Sequence, residues 1–158
     1  GNYMAHNNLG TVFLSQGRLD EAEEHFVKAI EIKPDFEIPY LNIGKLAYEA
    51  GNVEKARKYY HKAIVIRPKN YGAYLALGNL HFREGEYQDA WRFYSEAIRI
   101  NPDGALPYNG MGGVMTKIGR LEEAVAMYGK AIEIDPGFET AKQNLERVRE
   151  ALRSGKKQ

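Results

Sequence analysis

Residues 71–104 read YGAYLALGNLHFREGEYQDAWRFYSEAIRINPDG, and the spacing of the small and aromatic residues in this stretch decides the fold. Each of its landmarks recurs through the chain at an interval of 34 residues. Gly78 belongs to a column with Gly10, Gly44 and Gly112, and Gly85 to one with Gly17, Gly51 and Gly119. Ala90 matches Ala22, Ala56 and Ala124, while Ala97 matches Ala29, Ala63 and Ala131. Tyr94 stands with Phe26, Tyr60 and Tyr128, and Pro102 with Pro34, Pro68 and Pro136. Columns in one register define units 3–36, 37–70, 71–104 and 105–138, followed by a partial fifth from 139. A period of this length marks stacked repeats, each a supersecondary unit that buries its apolar face only against its neighbours.

The first unit shows what one repeat contains. Leu9, Val12 and Phe13 recur at helical spacing before Ser15, Gln16 and Gly17, where a left-handed glycine ends a helix. A second helix is expected from near Asp20, a good N-cap residue type, with Ala22, Phe26, Ala29 and Ile30 on one face as far as Pro34. Gly10 and Ala22 fall where the two helices cross, and their small size lets the backbones approach. This reading places eight of the 16 glycines and four of the 6 prolines of a chain otherwise rich in helix formers. Pro39 and Pro107 fall in first turns, where a missing N–H is harmless. Gly72, Gly110 and Gly113 are left over on the expected inner side of units three and four, and the last two are expected to weaken their helix by about 2 kcal/mol together.

Beyond the fourth unit, Ala141, Leu145, Val148 and Leu152 form a single apolar stripe among Gln143, Glu146, Arg147, Arg149, Glu150 and Arg153. That pattern predicts a capping helix over 139–153 with a tail at 154–158. The first pair has no such cover, which predicts an exposed apolar side met by preceding repeats of a longer chain or by a neighbouring molecule.

Composition removes several function classes. With 22 Lys+Arg against 21 Asp+Glu the net charge is +1, so no global field draws the chain to nucleic acid or anionic membrane. Zero cysteines exclude a disulfide framework, a thiolate zinc site and a cysteine nucleophile. No apolar run is long enough to span a bilayer and no basic, apolar leader opens the sequence, so the expectation is a cytoplasmic protein without membrane insertion. His6, His25, His61 and His81 lack the pairing of ligands that a metal site needs. Gly110-Met111-Gly112-Gly113 has the composition of a phosphate loop but sits inside a helical pattern with no strand before it. Neither a catalytic constellation nor a cofactor or metal site is expected.

Charge is distributed by unit. Asp20, Glu21, Glu23 and Glu24 mark the second helix of the first unit, and Lys55, Arg57, Lys58 and Lys62 that of the second. Stacking of equivalent places predicts Glu23 opposite Arg57 and Glu24 opposite Lys58. These read as surface pairs that fix register, not as an RNA-binding patch.

Tyr74, Leu77, Gly78, His81, Ala90, Tyr94 and Pro102 together resemble the tetratricopeptide repeat signature, and the resemblance covers nearly the whole chain. Departures are mild: His6 stands for the first aromatic, Ile43 and Met111 for leucine, and Ala47, His81 and Met115 for the second aromatic. The resemblance implies an all-α solenoid, a right-handed superhelix of antiparallel helix pairs whose first helices line a concave groove. It also implies a non-catalytic protein-interaction module or scaffold.

In that family the ligand meets places 2, 5, 6, 9, 12 and 13 of each unit. Carried over, these include Asn7 and Asn8 in the first unit, and Ile38, Leu41, Asn42, Lys45 and Tyr48 in the second. Leu75, Asn79, Phe82 and Arg83 follow in the third, and Asn109 and Lys117 in the fourth. Met4, Ile38 and Leu106 share the second place, where an apolar residue either packs on the next repeat or meets a ligand. An apolar floor with a cationic cast implies an apolar, acidic peptide or helix as ligand, and the asparagines imply amide contacts to its backbone. The lysines, asparagines and arginine with which chaperone-binding members clamp a C-terminal carboxylate are missing, so no such clamp is expected. Two alternatives stand beside this reading: a scaffold that self-assembles through its uncapped first repeat, and the targeting region of a larger enzyme.

Overall fold

A left-handed backbone at one glycine per turn sets the architecture. In the computed structural model, which describes residues 1–155, Gly17 has φ +73 and Gly51 φ +78, and Gly85 and Gly119 repeat the geometry. Each is the pivot of a Schellman turn. The Arg18 N–H donates to the Phe13 carbonyl at 2.9 Å while the Gly17 N–H donates to that of Leu14 at 3.1 Å, and the Asn52 and Gly51 N–H groups do the same to Ala47 and Tyr48. These bonds satisfy the last carbonyls of one helix and send the chain back along it.

The described residues form nine helices and no strand. They gather into two compact units, residues 1–76 and residues from 77 onward. The first contains α1 (Tyr3–Ser15), α2 (Leu19–Ile32), α3 (Glu37–Glu49), α4 (Val53–Ile66) and the opening half of α5 (Tyr71–Arg83). The second contains the rest of α5, then α6 (Tyr87–Ile100), α7 (Ala105–Lys117), α8 (Leu121–Ile134) and α9 (Glu139–Gly155).

In the first unit, Ala22, Phe26, Ile43 and Leu46 form one buried cluster, with Phe13, Leu14, Val27, Ile30 and Tyr59 packed around it. The Phe26 ring lies against Gly10, where a Cβ would stand 2.6 Å from it, and the Tyr60 ring lies against Gly44 in the same way. Helix crossing over glycine therefore follows the sequence expectation. Three helix starts are capped by asparagines that the periodicity did not single out. Asn2 accepts from the Ala5 N–H at 3.1 Å, Asn52 from Lys55 at 3.0 Å and Asn70 from Ala73 at 2.9 Å. Asp20, by contrast, is not the cap expected of it. Helix α2 begins at Leu19 after Arg18 with no side-chain cap, and Asp20 lies in the first turn, where its charge faces the positive end of the helix.

In the second unit, Tyr94 is 1% exposed, and its ring is enclosed by Gly78 on α5 and Gly110 on α7. Its hydroxyl donates to Asn79 Oδ1 at 2.8 Å. Tyr128 repeats the arrangement over Gly112. Burial pushes the hydroxyls of Tyr60 and Tyr128 above the usual phenol range, a pull that the neighbouring Thr116 hydroxyl partly offsets at Tyr128. Helix α9 buries Ala141, Leu145 and Val148, half-buries Leu152 and exposes Gln143, Glu146, Arg147, Arg149, Glu150 and Arg153. It runs past Arg153 to Gly155, with the Ser154 hydroxyl bonded back to the Glu150 carbonyl, so the expected tail starts later. The remainder of that tail, 156–158, lies outside the described residues.

Candidate functional site

Each unit presents one face built from its first helices. On α3, Ile38, Leu41, Lys45 and Tyr48 are spaced by three or four residues and so share one side of the helix. Ile38 is 40% exposed, Lys45 is exposed, and Leu41 and Tyr48 are half-buried. Lys45 Nζ stands 3.9 Å from Glu49 one turn on, a separation that leaves the ammonium largely hydrated. Met4 on α1 is more than half exposed, Asn8 is exposed, and Leu75 at the start of α5 is half-buried. In the second unit Leu106 on α7 is 51% exposed, Arg83 and Lys117 are exposed, and Phe82 is half-buried. The apolar residues at the second place are thus partly open to solvent in both units.

The asparagines are used differently from the expectation. Asn7, read as a ligand contact, is buried, and its Oδ1 accepts from Asn42 Nδ2 at 3.1 Å. Asn7 therefore braces Asn42 with a buried side chain, unlike Leu41, Leu75 and Asn109 at the same place of the other units, which are half-buried. The same clasp recurs in the second unit, where Asn144 Nδ2 donates to Asn109 Oδ1 at 3.1 Å. Asn79 accepts from the Tyr94 hydroxyl. A side-chain amide carries two donors and two lone pairs, so Asn42 keeps its oxygen, and Asn79 and Asn109 keep their NH2 groups, for a further partner.

Two of the three left-over glycines are explained by the chain itself. A Cβ on Gly110 would collide with the Tyr94 ring, and one on Gly113 would come within 3.2 Å of Phe82 Cζ. Gly72 has no comparable neighbour, its nearest atoms being Asn70 Oδ1 at 3.5 Å and Leu41 Cδ1 at 3.8 Å. What approaches α7 closely is therefore Tyr94 and Phe82. The expected weakening of the helix is offset by aromatic packing.

Two further expectations are corrected. Glu23 pairs with Lys55 at 2.5 Å, and Glu24 with Lys28 on its own helix. The facing helices are offset, so Glu23 meets a residue two places nearer the start of α4 than its equivalent. His6 and His25, read as separate, bring their Nδ1 atoms to 3.0 Å, one donating and the other accepting, while His25 stacks on Phe13. The signal was present in the repeat: the equivalent residues of the next unit, Tyr40 and Tyr59, are also ring neighbours, at 6.2 Å. His81 is buried, stacked on Phe93 and paired with Glu86. Among the described residues no three His, Cys, Asp or Glu side chains gather as metal ligands, and no helix is long and apolar enough to cross a membrane.

Comparison with known proteins adds to this geometry. Sequence models described as tetratricopeptide repeat match residues 3–36, 41–105 and 108–138. A search of curated proteins finds no match. Among solved structures, MamA is similar at 28% identity over 90% of this chain and 83% of its own, with a TM-score of 0.78. YrrB, described as a TPR protein with an unusual peptide-binding site, is 19% identical over 96% of this chain and 78% of its own, with a TM-score of 0.75. PilF of Pseudomonas aeruginosa is 18% identical over 96% and 69% respectively, with a TM-score of 0.89. At these last two identities the likeness is one of fold.

Proposed function

This chain belongs to the tetratricopeptide repeat family, and from that premise we propose that the inner faces of its first helices hold an apolar, acidic peptide or helix of another protein. The observation that carries the reading is α3, where exposed Ile38 and Lys45 share one side with half-buried Leu41 and Tyr48. A solvated isoleucine beside a lysine whose ion pair with Glu49 is long, at 3.9 Å, suits a ligand that brings both an apolar side chain and a carboxylate. Leu75 extends the apolar surface of the first unit. In the second unit Leu106 and Phe82 supply apolar contact, Arg83 and Lys117 supply charge, and Asn79 and Asn109 offer amide donors. In the first, Asn8 offers its amide and Asn42 its amide oxygen. The recognition unit is the 34-residue helix pair, 3–36, 37–70, 71–104 and 105–138, closed by the helix from 139, and its role is that of a non-catalytic scaffold.

Selection of peptides from a displayed library against this protein tests the reading. The selected peptides should combine apolar and acidic residues, and Ile38→Glu and Leu75→Glu should each lose them with helicity unchanged. Retained binding by both variants sinks the assignment.

A second reading, self-assembly, is favoured by one specific contrast. Leu9 and Val12 are 45% and 49% exposed, whereas their equivalents Ile43 and Leu46 are 0% and 6% exposed, and Met111 and Val114 are buried as well. A second copy packing on α1 would bury them. Light scattering over a wide concentration range decides it: growth in mass that Leu9→Asn abolishes supports assembly, and a constant monomer mass at high concentration rules it out.

A further inference from the structure

The α6/α7 junction carries a cavity that lies outside the inner face. Its volume is about 380 Å³, and its walls are Tyr87, Trp91 and Ile118 over a floor of Val114 and Met115. Arg92 and Arg120 form its rim. None of these residues occupies a place that the groove reading uses. The floor is closed, Val114 and Met115 being 1% and 4% exposed, while Ile118 in the turn after α7 is 45% exposed.

Trp91 and Ile118, which line this cavity, are not repeated at the equivalent places of the other repeats. The place of Trp91 is taken by Glu23 in the first unit, where it forms an ion pair with Lys55. The place of Ile118 is taken by Gln16 and Ala50. A stacked pair of repeats therefore needs neither a tryptophan nor an exposed isoleucine here. The chain's single tryptophan and one of its exposed large apolar side chains meet beside two arginines.

We propose that this cavity is a second peptide-binding site, one that takes a large apolar side chain flanked by carboxylates from a short acidic segment of a partner protein. The size suits one aromatic or branched apolar side chain, at the small end of ligand pockets in general. The lining contains cations and no anions. Arg92 is held by Asp89 at 3.1 Å and Arg120 by Glu123, both on the adjoining helical turns, which orients the guanidinium groups while leaving further N–H donors on each. Trp91, Tyr87 and arginine are the residue types that anchor protein interfaces.

The sole tryptophan makes the site its own reporter. The probe is an acetylated, amidated octapeptide, Gly-Ser-Asp-Leu-Phe-Asp-Ser-Gly, titrated while Trp91 emission is followed. A saturable spectral shift is expected, with a dissociation constant below about 1 mM. Ile118→Gln, which installs the residue of the first repeat, should weaken binding at least about tenfold while leaving the unfolding midpoint unchanged. Arg92→Gln in a protein of unchanged helicity provides the second variant, and it should flatten the salt dependence. Replacing Leu-Phe of the probe by Ser-Ser should abolish the shift, and replacing both aspartates by asparagine should weaken it. The proposal is overturned by the absence of a saturable shift, by equal binding of the asparagine peptide, by indifference to Ile118→Gln and Arg92→Gln, or by a shift that follows protein concentration alone, which would make a second copy the occupant. Ile38→Glu should leave this titration untouched, so failure of the groove reading and failure of this one are told apart.

Discussion

The α2/α3 and α6/α7 junctions occupy equivalent places of the repeat and are built from different chemistry. At the first, Phe26 fills the space over Gly10, and the sixth place of the next helix is Asn42, hydrogen-bonded back to Asn7. At the second, Tyr94 fills the equivalent space over Gly78, and the sixth place is Gly110, against which the same ring also presses. At the first a polar clasp ties α3 back to α1, and at the second an inserted ring ties α6 to α7. The tyrosine hydroxyl requires a partner once buried, and Asn79 supplies it. Phe26 has no such need, and at the place of Asn79 stands Thr11, whose hydroxyl returns to its own backbone at the Asn7 carbonyl. One architecture therefore accepts either solution. The first junction keeps its surface polar, whereas the second leaves Trp91 and Ile118 beside an open cavity.

The largest expected effect breaks the second junction. Gly110→Ala improves helix propensity by about 1 kcal/mol, but its methyl group meets a ring that Gly78 prevents from retreating. Overpacking of a closed site destabilises by about 1–3 kcal/mol, and here the upper end applies, so a net loss of about 2 kcal/mol is expected in urea unfolding. Gly129 on α8 is the control. A Cβ there meets nothing within 4 Å, so Gly129→Ala should stabilise by about 1 kcal/mol. If the two substitutions shift stability in the same direction, the intrusion of Tyr94 is not what distinguishes the junctions.

A smaller effect tests the clasp of the first junction. Asn7→Ala leaves the half-buried Asn42 amide without its acceptor, a loss of about 1–2 kcal/mol, from which alanine's better helix propensity subtracts part. A net destabilisation of about 1 kcal/mol is expected by thermal unfolding, and Asn7→Asp, which keeps an acceptor, should restore most of it.

The shared parts of the two junctions were legible in the sequence, because the repeat itself displays them. Gly10, Gly44, Gly78 and Gly112 each lie under the ring of their own pair, as their spacing implied, and the four turn glycines have the backbone that their column implied. What differs between the junctions was not legible, since it depends on which side chains meet across two units. Gly110 and Gly113 looked like weak points because their partners, Tyr94 and Phe82, are 16 and 31 residues away. Asn7 looked like a ligand contact because the periodicity places it on the first helix without saying that its side chain is buried against Asn42. His6 and His25 were read singly, although the tyrosines at the same two places of the next unit marked them as neighbours.

The smallest expected effect concerns the outer surface, where Glu23 in one junction takes the place of Trp91 in the other. The Glu23–Lys55 pair is neither buried nor fully exposed, its side chains being 30% and 33% accessible. Partial burial strengthens the attraction, while fixing two long side chains and screening by salt oppose it. Lys55→Ala should therefore destabilise by less than about 1 kcal/mol, and the loss should shrink as ionic strength rises. In a double-mutant cycle with Glu23→Ala the coupling should be of the same small size and vanish in high salt. A coupling that persists in high salt would mean that the pair is shielded from solvent and contributes to the register of α2 on α4 as strongly as the buried contacts do. In that case the two junctions would differ in the residues that meet there but not in how firmly the outer surface holds them together.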